Sequence, residues 1–164
     1  KTNILGVPGS GFKQFLKTLT IGRISISALA LGTAVGAYEL ALKYSKERSA
    51  FGKKISKFQA ISFKLADMAT QISASRQLIY HAAWLRDQGK NVIKDAAIAK
   101  LFSSEMAMKI TTDAIQIHGG YGYIEDYHVE RFFRDAKILE IGEGTSEVQR
   151  IIISREILKN YSST

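Results

Sequence analysis

The chain has 164 residues, 46% of them hydrophobic and only one, Pro8, a proline; this allows one domain with a sizeable core and excludes a disordered or turn-rich sheet protein. It contains no cysteine, which excludes disulfides, thiolate zinc sites and cysteine nucleophiles and is compatible with a reducing interior. The formal charge of +8 points to an anionic partner, whether nucleic acid, an anionic membrane or a phosphate-bearing small molecule, without choosing among them.

Residues 1–11, with Gly6, Pro8, Gly9 and Gly11, read as a strand end followed by a loop. They lack the charged, apolar and small-residue regions of a signal peptide and look like the interior of a longer chain. A first helix follows from residue 12 to about residue 47. Its stretch 24–42 approaches the length of a bilayer span. Glu39, Ser25, Ser27 and Thr33 weaken that reading, and Gly32, Gly36 and the alanines suit a helix packed closely in a bundle, with no membrane span.

Residues 49–56 form a polar, glycine-containing connection. Phe58, Ile61, Leu65, Met68, Ile72, Ile79 and Ala83 then recur at three- and four-residue steps with one step missed, marking a second helix that ends at Gly89. The pattern resumes over 92–118 through Ala99, Phe102, Met106, Ile110, Ala114 and Ile117, and Gly119-Gly120 supply a left-handed cap. A glycine- and tyrosine-rich loop leads to a shorter helix over about 127–139, and the last helix runs from about 147 to 160.

Three helices of roughly 26 to 36 residues would each span about 40 to 50 Å at about 1.5 Å per residue, too long for an orthogonal arrangement in a chain of this size. The predicted fold is therefore all-α, an up-and-down four-helix-bundle-type domain over 12–164 with long antiparallel helices. No internal repeat or dividing linker is visible. His81, His118 and His128 lack ligand spacing, so no metal site is predicted. His118 is expected to close the third helix, and Trp84 to lie in the core or an interface.

One segment carries a chemical signal. In Ile141-Gly142-Glu143-Gly144-Thr145-Ser146-Glu147-Val148-Gln149 a lone carboxylate stands between two glycines and is followed by hydroxyls that can start a helix. The glycines free the backbone for a turn and let a bulky ligand approach, so Glu143 could act as a general base. The same residues also read as a capping box, with Ser146 as N-cap, Gln149 as its partner and Glu143 favouring the positive helix end.

Five motifs in order decide between these readings: Arg48-Ser49-Ala50-Phe51-Gly52, Phe58-Gln59-Ala60-Ile61, Gln116-Ile117-His118-Gly119-Gly120-Tyr121-Gly122, Arg134-Asp135-Ala136-Lys137 and Glu143-Gly144-Thr145-Ser146. Over nearly its whole length the chain resembles the C-terminal helical domain of the acyl-CoA dehydrogenase family, its short- and medium-chain members in particular.

The resemblance implies an FAD-dependent oxidoreductase of fatty acid β-oxidation that converts acyl-CoA thioesters to trans-2-enoyl-CoA. It makes Glu143 the base that removes the α-proton while the β-hydride passes to flavin N5. In some branches the base projects instead from the first helix, at the position held here by Gly22. Arg48 matches an arginine that pairs with the flavin pyrophosphate across a subunit boundary. Phe51, Gln59, Gln116 and Gly120 match contacts to the same cofactor, and Thr145 and Glu147 match contacts to the adenosine half of the subunit's own flavin. Arg23 and Gly144 fall at acyl-CoA-binding positions.

The resemblance further implies an electron-transfer flavoprotein as acceptor, a homo-oligomer of two or four subunits, no nucleic-acid partner, and an intracellular setting, cytoplasmic in a prokaryote and the mitochondrial matrix in a eukaryote. The sequence departs from the family at Gly142, where many members carry an aromatic residue, and at Thr20, where some carry an aspartate near CoA. The family's N-terminal helical domain and middle β domain are not among these residues, so the chain reads as one domain that is inactive alone.

Two other readings stand beside this one. One is a related flavoenzyme on the same scaffold, an acyl-CoA oxidase or a nitroalkane oxidase; glutamate rather than aspartate at 143 counts against the latter. The other is a basic helical binding module, for which Lys43, Lys46, Arg48, Lys53, Lys54, Lys57 and Lys64 would form the face, although the phosphates of FAD and CoA account for these charges equally well.

Overall fold

One face of the first helix is built from small residues at three- and four-residue steps: Ser27, Ala30, Ala34, Ala37, Ala41 and Ser45 are all fully buried. Such a strip lets two helix backbones approach closely along their length. The structure, a computed structural model, describes residues 3–161. The elements are α1 (Gly11–Glu47), β1 (Ser49–Ala50), β2 (Lys53–Lys54), α2 (Gln59–Asp87), α3 (Ile93–His118), α4 (Val129–Ile141) and α5 (Ser146–Tyr161). Short 3₁₀ turns cover Ile55–Lys57, Gly119–Gly122 and Glu125–Tyr127.

Helix α3 is the hub of the bundle. It packs on α1 most extensively, and on α2, α4 and α5. The core gathers Leu65, Met68 and Ile72 of α2, Met106, Ile110 and Ile117 of α3, and Val129, Ala136 and Leu139 of α4 around the alanine strip of α1. Two polar contacts join α2 to α3. Ser75 Oγ and Ser103 Oγ share a buried hydrogen bond of 2.8 Å, and Lys64 Nζ meets Asp113 Oδ1 at 2.5 Å.

The all-helical bundle is as the periodicity predicts, with five α-helices among the described residues. By length and composition alone α1 could cross a bilayer. Here it is a bundle helix, its alanine strip buried against its neighbours. Gly36 leaves room for an α4 side chain, since a Cβ there would lie 2.8 Å from Phe132 Cε1. Gly32, assigned the same task from sequence, faces open space instead.

The connection 49–56 contains an antiparallel hairpin that periodicity does not foresee, with Ser49 paired to Lys54 and Ala50 to Lys53. Its two central residues, Phe51 and Gly52, both have positive φ, +50° and +80°, the sign of a type I′ turn. No strand forms over residues 3–10, which are turn and loop, while Lys1 and Thr2 lie outside the described residues. The end of α3 also departs from expectation. Gly119 has φ +61° but ψ −137°, so it leaves the left-handed helical region and leads into a 3₁₀ turn. Helix α4 begins two residues later than expected, because His128 at φ +56° breaks the preceding turn.

Candidate active site

The α4–α5 loop holds one of the three non-glycine residues at positive φ among the described residues, Glu143. Helix α4 closes with Gly142 N–H donating to Ile138 O at 2.8 Å. Glu143 and Gly144 then both take positive φ, +57° and +95°. The sequence reading put the turn in the glycines; the structure puts Glu143 itself in the left-handed region. Gly144 has no room for a side chain, as a Cβ would lie 2.9 Å from Gln149 Nε2 and 3.2 Å from Val148 Cγ1.

This backbone aims the Glu143 carboxylate across the bundle at α1. A Cβ at Gly22 would sit 2.5 Å from Glu143 Oε2, so the carboxylate occupies the space that a side chain at Gly22 would fill. Oε2 is buried without a hydrogen-bond partner, and so is Nε of the neighbouring Arg23. Arg23 is only 6% exposed, so it is not a solvated charge on the first helix. Burial pushes its pKa down, and the Glu143 carboxylate partly offsets this. A buried acceptor with no partner is uncommon in folded proteins and marks a place where a ligand proton can be received.

Thr145, not Ser146, caps α5. The Val148 N–H donates to Thr145 Oγ1 at 3.4 Å, whereas Ser146 Oγ is buried and unpartnered. Gln149 is not a capping-box partner either. Its Nε2 donates to the carbonyls of Glu143 at 3.2 Å and Gly144 at 2.8 Å. From α3, Lys100 Nζ donates to Glu140 O at 3.1 Å and Gly144 O at 2.7 Å. Glu147 is exposed, and its carboxyl is held below the usual carboxylate range by its own N–H and then by the Thr145 hydroxyl.

A second cluster forms where α3 ends. A cleft of about 520 Å³ is lined by Tyr44, Arg48, Gln116, His118, Gly120 and Tyr121 among others, a volume within the range of ligand clefts. Its floor is aromatic, with Tyr44 stacked on His118 at 4.3 Å and Tyr127 edge-on to both. His118 Nδ1 lies 2.8 Å from Ala114 O and donates to it; burial lowers the pKa of the ring, and the bond to Ala114 O partly offsets this. Arg48 spreads its guanidinium over the Tyr121 ring at 5.5 Å and makes no ion pair among the described residues. A Cβ at Gly119 or Gly120 would meet nothing within 4 Å, so the backbone there is open to a ligand.

Comparison with known proteins decides the family. Residues 9–158 match the family model described as acyl-CoA dehydrogenase, C-terminal domain. The chain belongs to the acyl-CoA dehydrogenase family. It is 59% identical over 157 residues to the probable acyl-CoA dehydrogenase YngJ of Bacillus subtilis, covering 96% of this chain and 41% of that protein. The caffeyl-CoA reductase-Etf complex subunit CarC of Acetobacterium woodii is 49% identical over 159 residues, covering 97% of this chain and 42% of that protein. The solved structure of butyryl-CoA dehydrogenase from Megasphaera elsdenii superposes with a TM-score of 0.94 at 53% identity, over 95% of this chain and 41% of that one. The chain thus spans about two fifths of the length of the curated relatives it matches.

Within this acyl-CoA dehydrogenase domain the site residues read from sequence fall into separate groups. Glu143 and Arg23 meet beside Gly22, while Gly144 faces Gln149 and Val148. Arg48, Gln116 and Gly120 share the aromatic cleft. Gln59 opens α2, and Phe51 stands at the hairpin tip, 96% exposed and edge-on to Phe58 at 6.3 Å. Thr145 and Glu147 line a different cleft with Lys137 and Glu140. Trp84 is not a core residue; it is exposed on α2, stacked on His81. Among the described residues no three His, Asp or Glu side chains gather as a metal site. The sequence reading missed Lys100, although a lysine one helical turn after buried Ala96 and one before buried Ser103 and Ser104 was a readable signal.

Proposed function

We propose that this chain is the base-bearing, flavin-contacting domain of an FAD-dependent acyl-CoA dehydrogenase that converts acyl-CoA thioesters to trans-2-enoyl-CoA. The observation that carries the reading is the Glu143 carboxylate, held by a left-handed backbone over the gap at Gly22 with one buried oxygen unpartnered. Glu143 takes the α-proton of the thioester. Arg23, buried beside it, supplies a fixed positive charge toward the acyl-CoA, and Gly144, at positive φ, shapes the turn that presents Glu143 to it. Bound FAD supplies the acceptor for the β-hydride.

The residues present fit that group. Arg48 offers a guanidinium without a carboxylate partner to a pyrophosphate, Gln116 an amide, and Gly120 an open backbone, all in one cleft. Phe51 and Gln59 flank the entrance to α2 and complete the contacts to the same flavin. Thr145 and Glu147 lie in another cleft, so one chain contributes to two flavin sites, which supports a homo-oligomer in which each cofactor is shared. Electrons leave to an electron-transfer flavoprotein; the likeness to an Etf-complex subunit supports this. That relative's name also favours a second direction, reduction of an enoyl-CoA, in which Glu143 would return the α-proton. An intracellular setting accords with the absence of cysteine.

The test is Glu143→Gln in the flavin-loaded full-length protein, mixed with a short-chain acyl-CoA while flavin absorbance is followed. Bleaching of the flavin is expected to slow by about 10²- to 10⁴-fold, the usual contribution of a positioned base, with acyl-CoA still bound. Bleaching at the parental rate would remove Glu143 as the base.

A further inference from the structure

Among the described residues Lys100 is the largest side chain that is completely buried, and the chemistry proposed above makes no use of it. A buried ammonium is unfavourable unless its donors are taken up. Methionine would fill much the same space without that cost. The two acceptors that Lys100 does find are informative. Glu140 O belongs to the last turn of α4, where carbonyls have no partner inside their own helix and the helix dipole is negative. Gly144 O lies on the far side of the base-bearing turn. One ammonium therefore ties both ends of the segment 140–144 to α3.

Gln149 completes the arrangement from α5. It too is fully buried, and its carboxamide donates to Glu143 O and to Gly144 O. Gly144 O thus receives two hydrogen bonds, from Lys100 at 2.7 Å and from Gln149 at 2.8 Å, which uses both of its lone pairs. The strain of a left-handed glutamate persists only where its surroundings over-determine it, and these bonds do so from two helices. We propose that Lys100 and Gln149 are positioning residues that clamp the Glu143 turn and hold its carboxylate over Gly22; the inference rests on Glu143 being the base. Neither side chain touches the reacting atoms. They act through the backbone of Glu143 and Gly144.

The experiment compares Lys100→Met, Gln149→Met and Glu143→Gln in the flavin-loaded full-length protein. It measures the rate of α-proton abstraction, the KM for acyl-CoA, and amide hydrogen exchange over residues 142–146. Both methionine variants are expected to slow proton abstraction about 10- to 100-fold, the effect of a small displacement of a catalytic group. KM should stay within about twofold, and the loop amides should exchange faster while the rest of α3 and α5 does not. If Lys100→Met gives no folded protein, Gln149→Met carries the same test.

Methionine variants that abstract the proton at the parental rate, while Glu143→Gln is slow, would overturn the clamp and leave the base in place. A fall in melting temperature with unchanged rate and unchanged loop exchange would reduce both residues to structural ones and overturn it equally. A Glu143→Gln variant as fast as the parent would remove the base, and the clamp with it.

Discussion

Glu143 holds a backbone conformation that costs an ordinary L-residue about 1–2 kcal/mol and buries a carboxylate oxygen without a partner. Both features disfavour folding, and in the proposed role both serve a base, so activity and stability should respond differently to substitution at this position. Glu143→Gly and Glu143→Ala both remove the carboxylate beside buried Arg23, but only glycine accepts the left-handed turn without strain, so the glycine variant is expected to be more stable than the alanine variant by about 1 kcal/mol, and both to abolish α-proton abstraction. Urea unfolding and flavin bleaching read the two effects; a glycine variant less stable than the alanine one would contradict the strain argument. Gly22 poses the complementary case. Gly22→Ala is favourable for a helix by about 0.5–1 kcal/mol, yet its methyl would enter the space of the Glu143 carboxylate. The expected outcome is an equal or higher melting temperature with proton abstraction slowed about 10- to 100-fold. An unchanged rate would mean that the carboxylate does not work from that space. The shared space also gives a physical reason why a base could stand on either side of it.

At the level of elements, α3 positions the site. It carries Lys100 beneath the Glu143 loop and Gln116 and His118 at the aromatic cleft, so the separation of the two clusters is fixed by one continuous helix. Its seat against α2 includes the buried Ser75–Ser103 hydrogen bond. Ser103→Ala leaves the Ser75 hydroxyl unsatisfied and should destabilise by about 1–3 kcal/mol, whereas the double replacement of Ser75 and Ser103 by alanine should recover most of the loss. A double-mutant cycle by thermal unfolding measures this, and additive losses would show that the two hydroxyls are not coupled. The hairpin between α1 and α2 has a different character. Phe51 is held at positive φ and nearly full exposure, a placement that contributes little to this domain's own core and suits contact with a flavin or with another chain.

For the whole molecule, the exposed apolar surface matters most. Ile4, Leu5, Val7, Phe12, Phe15 and Leu16 are all exposed along the first loop and the start of α1, beyond the isolated apolar residues expected on a free surface. This agrees with a chain that spans about two fifths of the length of its relatives, and with the proposed flavin contacts lying in two separate clefts. The isolated chain is expected to bind an apolar-surface dye strongly, to lose added FAD on gel filtration, and to show no bleaching by a short-chain acyl-CoA. Retained flavin that bleaches with substrate would show the domain to be self-sufficient.

Much of this was legible in the sequence. The periodicity of Leu65, Met68 and Ile72, and of Met106, Ile110 and Ile117, gave the helices and their buried faces to within a few residues, because a period of 3.6 is a local property of the chain. The Gly142-Glu143-Gly144 segment marked the candidate base for the same reason, since backbone freedom is carried by the residue itself. The tertiary structure alone decided which distant groups meet: the Glu143 carboxylate over Gly22, the burial of Arg23, and the convergence of Lys100 and Gln149 on Gly144 O. Those meetings depend on the axial register and rotation of α1, α3 and α5 against one another. An apolar stripe specifies which face of a helix is buried, but not which residue of the next helix lies opposite, and that register emerges only when all the helices pack at once.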